Sequence, residues 1–135
     1  MSRSLTSGKI FSAGAAMLAL RDTRKVSGRC AAMAATTEEI IEVARPLSAH
    51  KALYVTHMRD EGDEVLDAID ETLRIGRELG IPVVISHHKV QHPRNFGLSG
   101  TTLPKIQAAM RHQCVGLDCY PYNAGSTMIR SDKGM

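Results

Sequence analysis

The segment PVVISHHKV (residues 82–90) is the clearest indication of how this chain folds. Its uninterrupted, β-branched apolar residues are typical of a strand buried in a parallel sheet. The segment ends in His87, His88 and Lys89 instead of turn residues. These three side chains bind protons, metals or anions, so the end of this strand is a candidate functional site.

Two further segments have the same strand character, and all three strands begin about 30 residues apart. The three predicted strands are ALYVTH (52–57), PVVISH (82–87) and VGLDCYPY (115–122). Strand and helix patterns that alternate at this period indicate βαβ units. The sequence therefore predicts an α/β fold with a parallel sheet.

Helical periodicity accompanies the predicted strands, with segments at 36–50, 61–80 and 102–113. The middle segment opens with acidic residues and closes with Gly80, an order that suits the helix dipole and a glycine C-cap. The last segment places Pro104 in its first turn, where proline is tolerated.

Two of the predicted strands end in the same short pattern, VTH at 55–57 and ISH at 85–87. Parallel α/β proteins place their sites at the carboxyl ends of strands, so we expect His57 and His87 to meet there. Alternation along a strand directs His88 elsewhere, toward flanking helices or solvent. Neutral imidazoles are common Zn²⁺ ligands. The alternative is a pair of structural histidines that hydrogen-bond the backbone.

The composition indicates one soluble globular unit of 135 residues with a formal net charge of +3. Basic residues are scattered and do not interleave with aromatic residues, which argues against nucleic-acid binding. The three cysteines form no CxxC pair, which favours a reducing compartment. The apolar segment 10–20 is shorter than the roughly 20 residues that span a bilayer. We expect a cytoplasmic protein, with a targeting segment as the alternative.

Several segments closely resemble the N-acyl-D-amino-acid deacylases of the amidohydrolase superfamily. These are YVTHMRDE (54–61), GRELGIPVVISHHK (76–89), the N-x-G-x-S pattern at 95–99 and LDCYPYNAGST (117–127). The resemblance covers roughly residues 34–129, and its motifs occur in the family's order with coherent spacing.

This resemblance implies a metal-bearing (β/α)8 barrel of the TIM type, in which the three predicted strands would be strands 5 to 7. A complete barrel takes about 250 residues. We therefore expect an interior piece of such an enzyme, with a partial barrel domain at 34–135 and a poorly matched segment at 1–33.

The resemblance also implies roles for individual residues. His57 and His87 would be metal ligands for Zn²⁺, and Lys89, Tyr120 and Ser126 would hold the carboxylate of the substrate. The family's eighth-strand aspartate, its general base, and its zinc-binding cysteine have no counterpart in these 135 residues. The catalytic group is therefore unassigned.

The implied activity is zinc-dependent hydrolysis of the amide bond of an N-acyl-D-amino acid, which yields a carboxylate and a free D-amino acid. The expected partner is this small molecule, with no nucleic acid and no membrane. Two alternatives are a catalytically dead fragment and a flavodoxin-like binding module with structural histidines. We expect the isolated chain to be inactive and to self-associate through exposed sheet edges.

Overall fold

The three strands among the described residues form one parallel sheet, as the sequence predicts. The computed structural model describes residues 35–124. Within them, β1 (Tyr54–Thr56), β2 (Val83–Ile85) and β3 (Val115–Leu117) lie in the order β1-β2-β3. The predicted segment 1–33 and the predicted substrate residue Ser126 lie outside the described residues.

Helix α1 (Thr37–Ala49) precedes the sheet and begins in a capping box. The Thr36 hydroxyl accepts a hydrogen bond from the Glu39 backbone N–H (3.2 Å), and the Glu39 carboxylate accepts one from the Thr36 N–H (2.7 Å). These bonds satisfy two donors that a helix start otherwise leaves without partners. The helix continues past Pro46 to Ala49.

Helix α2 (Val65–Leu79) connects β1 to β2 and packs closely on the sheet. Gly76 permits this approach, because a Cβ at this position would lie 2.5 Å from Cγ1 of Val83. Gly80 ends the helix in the left-handed conformation, with φ of 64°. The predicted glycine C-cap is therefore confirmed.

The predicted start of α2 at residue 61 is wrong, because residues 61–64 form a separate turn. The side chain of Asp60 accepts hydrogen bonds from the backbone N–H groups of Gly62 (2.6 Å) and Glu64 (3.2 Å). These bonds hold the turn outside the helix, which begins at Val65. They leave Glu61 buried at the carboxyl edge of the sheet instead of exposed on a helix.

Helix α3 (Ser99–Ala109) also differs from its predicted bounds of 102–113. The chain becomes helical before Pro104, as the bond from the Thr102 N–H to the Leu98 carbonyl shows (3.0 Å). Pro104 therefore lies inside the helix and not in its first turn, which corrects the prediction. The cost is one helical hydrogen bond.

The helices cover one face of the sheet and enclose the core. On that face Tyr54, Val83 and Ile85 are buried, whereas Val55 and Val84 on the opposite face are only partly buried. The helical residues of the core are Ile40, Ile41, Ala44, Leu47, Val65, Ala68, Ile69, Leu73, Ile75, Leu79 and Ile106. Between residues 35 and 124, no helix combines the length and apolar character needed to cross a membrane.

Candidate metal centre

The structure brings His57 and His87 together at the carboxyl edge of the sheet. Their ring centroids lie 4.2 Å apart with an angle of 31° between the ring planes. Nδ1 of His57 is in direct contact with Nε2 of His87. Two imidazole nitrogens that converge in this way can bind one cation through their lone pairs.

The two histidines do not occupy paired positions in the sheet. Thr56 pairs with Ile85, so a continued register would place Ser86 beside His57. The matching patterns at 55–57 and 85–87 are therefore offset by one residue from the actual pairing. His87 reaches its partner because its backbone is left-handed, with φ of 44°.

Asp118, which directly follows the neighbouring strand β3, supports this left-handed turn. Its side-chain Oδ1 accepts a hydrogen bond from the His87 N–H (2.6 Å), and its carbonyl accepts one from the His88 N–H (2.8 Å). Its own N–H donates to the carbonyl of Ile85 (3.1 Å). Asp118 thus braces the turn, while the following Cys119 is exposed.

Glu61 is the residue of this site that sequence reasoning missed. Its carboxylate places Oε1 2.9 Å from Nδ1 of His87 and Oε2 2.7 Å from Nζ of Lys89. Gln91 donates to Oε2 as well (2.8 Å). The side chain of Glu61 is 3% exposed. A carboxylate four residues after a strand-ending histidine was the available signal, but the acidic run around it predicted a helix start.

Lys89 and Tyr120, two of the predicted substrate residues, lie beside the histidine pair. Nζ of Lys89 is 2.7 Å from Nδ1 of His87 and donates to the His87 carbonyl (3.1 Å). The same ammonium lies 5.5 Å from the centre of the Tyr120 ring, and that ring lies 6.4 Å from the ring of His87. A cation and a phenol therefore border the point where the two imidazoles meet.

His88 faces the helices and not the histidine pair. Its Nε2 lies 3.0 Å from the hydroxyl of Thr102 on α3, and both side chains are buried. Its Nδ1 has no hydrogen-bond partner among the described residues. Burial lowers the pKa of His88, which keeps the ring neutral at neutral pH.

Two loops at this edge are tied to each other, and we call residues 58–64 and 86–98 the paired loops. The Asp63 carboxylate accepts hydrogen bonds from Nε of Arg94 (2.8 Å) and Nδ2 of Asn95 (2.9 Å). These bonds hold the pKa of Asp63 well below its usual range. The loop that carries Glu61 is thereby fixed against the loop that carries His87 and Lys89.

The side chains at this site provide some, but not all, of the ligands that a transition-metal ion requires. The second ring nitrogen of His87 contacts a buried carboxylate, an arrangement common for metal-binding histidines. No group of three or more His, Cys, Asp or Glu side chains between residues 35 and 124 is arranged to hold a metal. The pair therefore supplies two of the ligands that such an ion requires.

Sequence comparison finds a D-aminoacylase and two N-acyl-D-amino-acid deacylases among the relatives. The chain is 66% identical over 99 residues to D-aminoacylase of Alcaligenes xylosoxydans xylosoxydans, a match that covers 73% of this chain and 20% of the relative. It is 52% identical over 103 residues to N-acyl-D-aspartate deacylase of the same organism, with 76% and 21% covered. No family model matches the chain.

Solved structures agree with these relatives. A crystal structure of D-aminoacylase, described as defining a novel subset of amidohydrolases, matches with a TM-score of 0.68 and 62% identity over 70% of this chain and 20% of that one. The N-acyl-D-glutamate deacylase of Bordetella bronchiseptica, in complex with zinc and a phosphonate inhibitor, matches with a TM-score of 0.60 and 41% identity. That match covers 65% of this chain and 19% of the other.

By these comparisons, and by its parallel α/β fold and paired histidines, the chain is similar to amidohydrolases. Within that class, the chain is similar to the N-acyl-D-amino-acid deacylases, with 44% to 66% identity over the matched residues. It spans about a fifth of the length of the relatives that it matches.

Proposed function

We propose that this chain contributes strands 5 to 7 of a (β/α)8 barrel in a zinc-dependent N-acyl-D-amino-acid deacylase. The three parallel strands in sequential order, with α2 and α3 as crossover helices on one face, support this placement. In this proposal residues 34–135 belong to the barrel, and residues 1–33 precede it. The paired loops then lie at the carboxyl end of the barrel, where such enzymes have their active sites.

The observation that carries the proposal is the contact of His57 Nδ1 with His87 Nε2 above the strand ends. We assign these two histidines as zinc ligands. When bound, zinc supplies a water of lowered pKa and polarises an amide carbonyl. The histidines fix this position relative to Lys89, which lies beside His87.

Lys89 and Tyr120 would bind the substrate carboxylate. An ammonium forms charge-assisted hydrogen bonds with a carboxylate, and a phenolic hydroxyl adds another donor. Ser126 would add a third donor, as the family resemblance implies. A carboxylate held here orients the N-acyl bond toward the histidine pair, and hydrolysis releases a carboxylic acid and a D-amino acid.

A chimeric enzyme tests the proposal. The matched segment of the Alcaligenes D-aminoacylase is replaced by the corresponding residues of this chain, and zinc content and hydrolysis of an N-acetyl-D-amino acid are measured. We expect a zinc-loaded, active chimera. His57→Ala and His87→Ala should each remove most of the activity, because groups that bind one metal ion act as a unit.

The matched control is His112→Ala, which removes an exposed histidine that follows α3. This variant should retain zinc and activity. Full zinc content and turnover in the His57→Ala chimera would contradict the assignment. A zinc-free, inactive parent chimera would favour the dead-fragment alternative.

The isolated 135-residue chain should show no appreciable turnover, since its described residues supply only two converging ligands. Exposed apolar side chains, among them Phe96 and Leu117, favour self-association of this chain. Size-exclusion chromatography and the same activity assay examine both expectations. Zinc-dependent turnover by the pure chain, abolished by His57→Ala, would contradict the first.

A further inference from the structure

Glu61 lies between His87, a proposed metal ligand, and Lys89, whose ammonium is proposed to bind the substrate carboxylate. Its two carboxylate oxygens contact different groups, Oε1 the ring of His87 (2.9 Å) and Oε2 the ammonium of Lys89 (2.7 Å). We propose that Glu61 is a positioning residue that orients both groups at once. This inference rests on the proposed function.

The contact with His87 selects one tautomer of the ring. Oε1 of Glu61 lies 2.9 Å from Nδ1 of His87, and a carboxylate this close favours the tautomer that carries its proton on Nδ1. Nε2 then keeps its lone pair, and this is the nitrogen that faces His57. Glu61 thus directs the lone pair of His87 toward the proposed metal position and also limits rotation of the ring.

The contact with Lys89 explains how two donors can lie close together. Nζ of Lys89 is 2.7 Å from Nδ1 of His87, and an ammonium beside an N–H group is unfavourable by itself. The negative charge of the Glu61 carboxylate, 2.9 Å from Nδ1 of His87 and 2.7 Å from Nζ of Lys89, offsets this repulsion. Without its charge, we expect the ammonium to move away from the ring.

Because Glu61 is buried, the loss of these contacts would be energetically costly. A carboxylate that is 3% exposed has lost most of its hydration, which is costly unless charge and donors replace the water. Lys89 supplies the charge, while Gln91 donates from its side chain (2.8 Å) to Oε2 and from its backbone (2.6 Å) to the Glu61 carbonyl. Glu61 is therefore held in one position, and it fixes the separation between His87 and Lys89.

The test uses Glu61→Gln in the chimeric enzyme. An amide has one acceptor oxygen and two donors, so it cannot accept from both His87 and Lys89 in the same way. We expect zinc affinity, measured by competition with a chromophoric chelator, to fall about 10- to 100-fold. KM for an N-acyl-D-amino acid should rise, and ¹⁵N spectra of His87 should lose the single Nδ1–H tautomer. Glu64→Gln, which changes an exposed carboxylate in the same loop that makes no capping hydrogen bond, is the matched control and should leave zinc affinity unchanged.

Unchanged zinc affinity and KM in Glu61→Gln would overturn the inference, and so would an equal loss in Glu64→Gln. If Glu61→Gln does not fold, Glu61→Asp is the alternative test, because it keeps the negative charge on a side chain that is one methylene shorter. A weakened zinc site and a raised KM in that variant support the inference, whereas parental values overturn it. A parent chimera without zinc or turnover would instead overturn the proposed function, and this inference with it.

Discussion

His57 and His87 are in direct contact although the sheet register would set Ser86, and not His87, beside His57. The left-handed backbone of His87 produces this contact. A non-glycine residue in that conformation costs on the order of 1 kcal/mol or more. The bonds that Asp118 accepts from the N–H groups of His87 and His88 offset part of that cost. Such strain at a strand end is typical of a functional position.

His88→Ala should weaken the fold without removing zinc. The His88 ring fills buried space and contacts the Thr102 hydroxyl, so its loss leaves a cavity and a buried polar group. We expect the free energy of unfolding of the chimera to fall by about 1–3 kcal/mol, while zinc content stays at the parental level. Chemical denaturation and metal analysis measure the two effects. A zinc loss equal to that of His57→Ala would contradict the assignment.

Lys89→Met should discriminate between substrates. A charge-assisted hydrogen bond contributes about 1.5–3 kcal/mol, so kcat/KM for N-acyl-D-amino acids with a free carboxylate should fall at least about tenfold. The corresponding amides, which lack this charge, should lose less. Lys105→Met is the control, because Lys105 pairs with Asp70 between two helices (2.8 Å). Equal losses for both substrate types would show that Lys89 has another role.

Glu71 makes the stability pH-dependent. Burial raises its pKa, but hydrogen bonds from Arg59 (2.8 Å and 3.0 Å) and Thr37 (2.9 Å) outweigh this effect, and the pKa is lowered. A lowered pKa contributes stability above the unfolded value of about 4.3, and this contribution is lost as the pH falls through the folded value.

Glu71→Gln should therefore destabilise the chimera by about 1 kcal/mol at pH 7, a modest effect because solvent screens these partly exposed groups. The difference from the parent should shrink as the pH falls below 4. Urea denaturation across this pH range measures it. Glu42→Gln, which breaks an exposed pair with Arg45, should change stability less. A difference that does not depend on pH would contradict the role of the Glu71 charge.

Two glycine substitutions should have opposite effects on stability. Gly76→Ala would place its Cβ 2.5 Å from Val83 Cγ1 and 3.3 Å from the Ile81 carbonyl, so α2 must move away from β2. We expect a loss of about 1–3 kcal/mol. Gly100→Ala meets nothing within 4 Å, and it should stabilise α3 by roughly 0.5 kcal/mol. Thermal denaturation compares the two. A parental melting temperature in Gly76→Ala would contradict the close packing.

The sequence predicted the α/β class, the three parallel strands and the meeting of His57 with His87, because alternation and helical periodicity are local signals. It did not predict the role of Glu61. The acidic residues around it fit a helix start, and only the bonds to Asp60 show that the helix begins later. The sequence also could not predict the one-residue offset between pattern and register, because φ at His87 depends on a hydrogen bond to Asp118, which follows β3.

The ties from Asp63 to Arg94 and Asn95 have a consequence for engineering substrate range. Exchange of one loop between family members would separate partners that lie 31 or 32 positions apart in the chain. Recombination points are therefore better placed before residue 58 and after residue 98, so that the paired loops and α2 are inherited as one block. Within such a block, the contacts among Glu61, His87 and Lys89 are transferred intact to a new host protein.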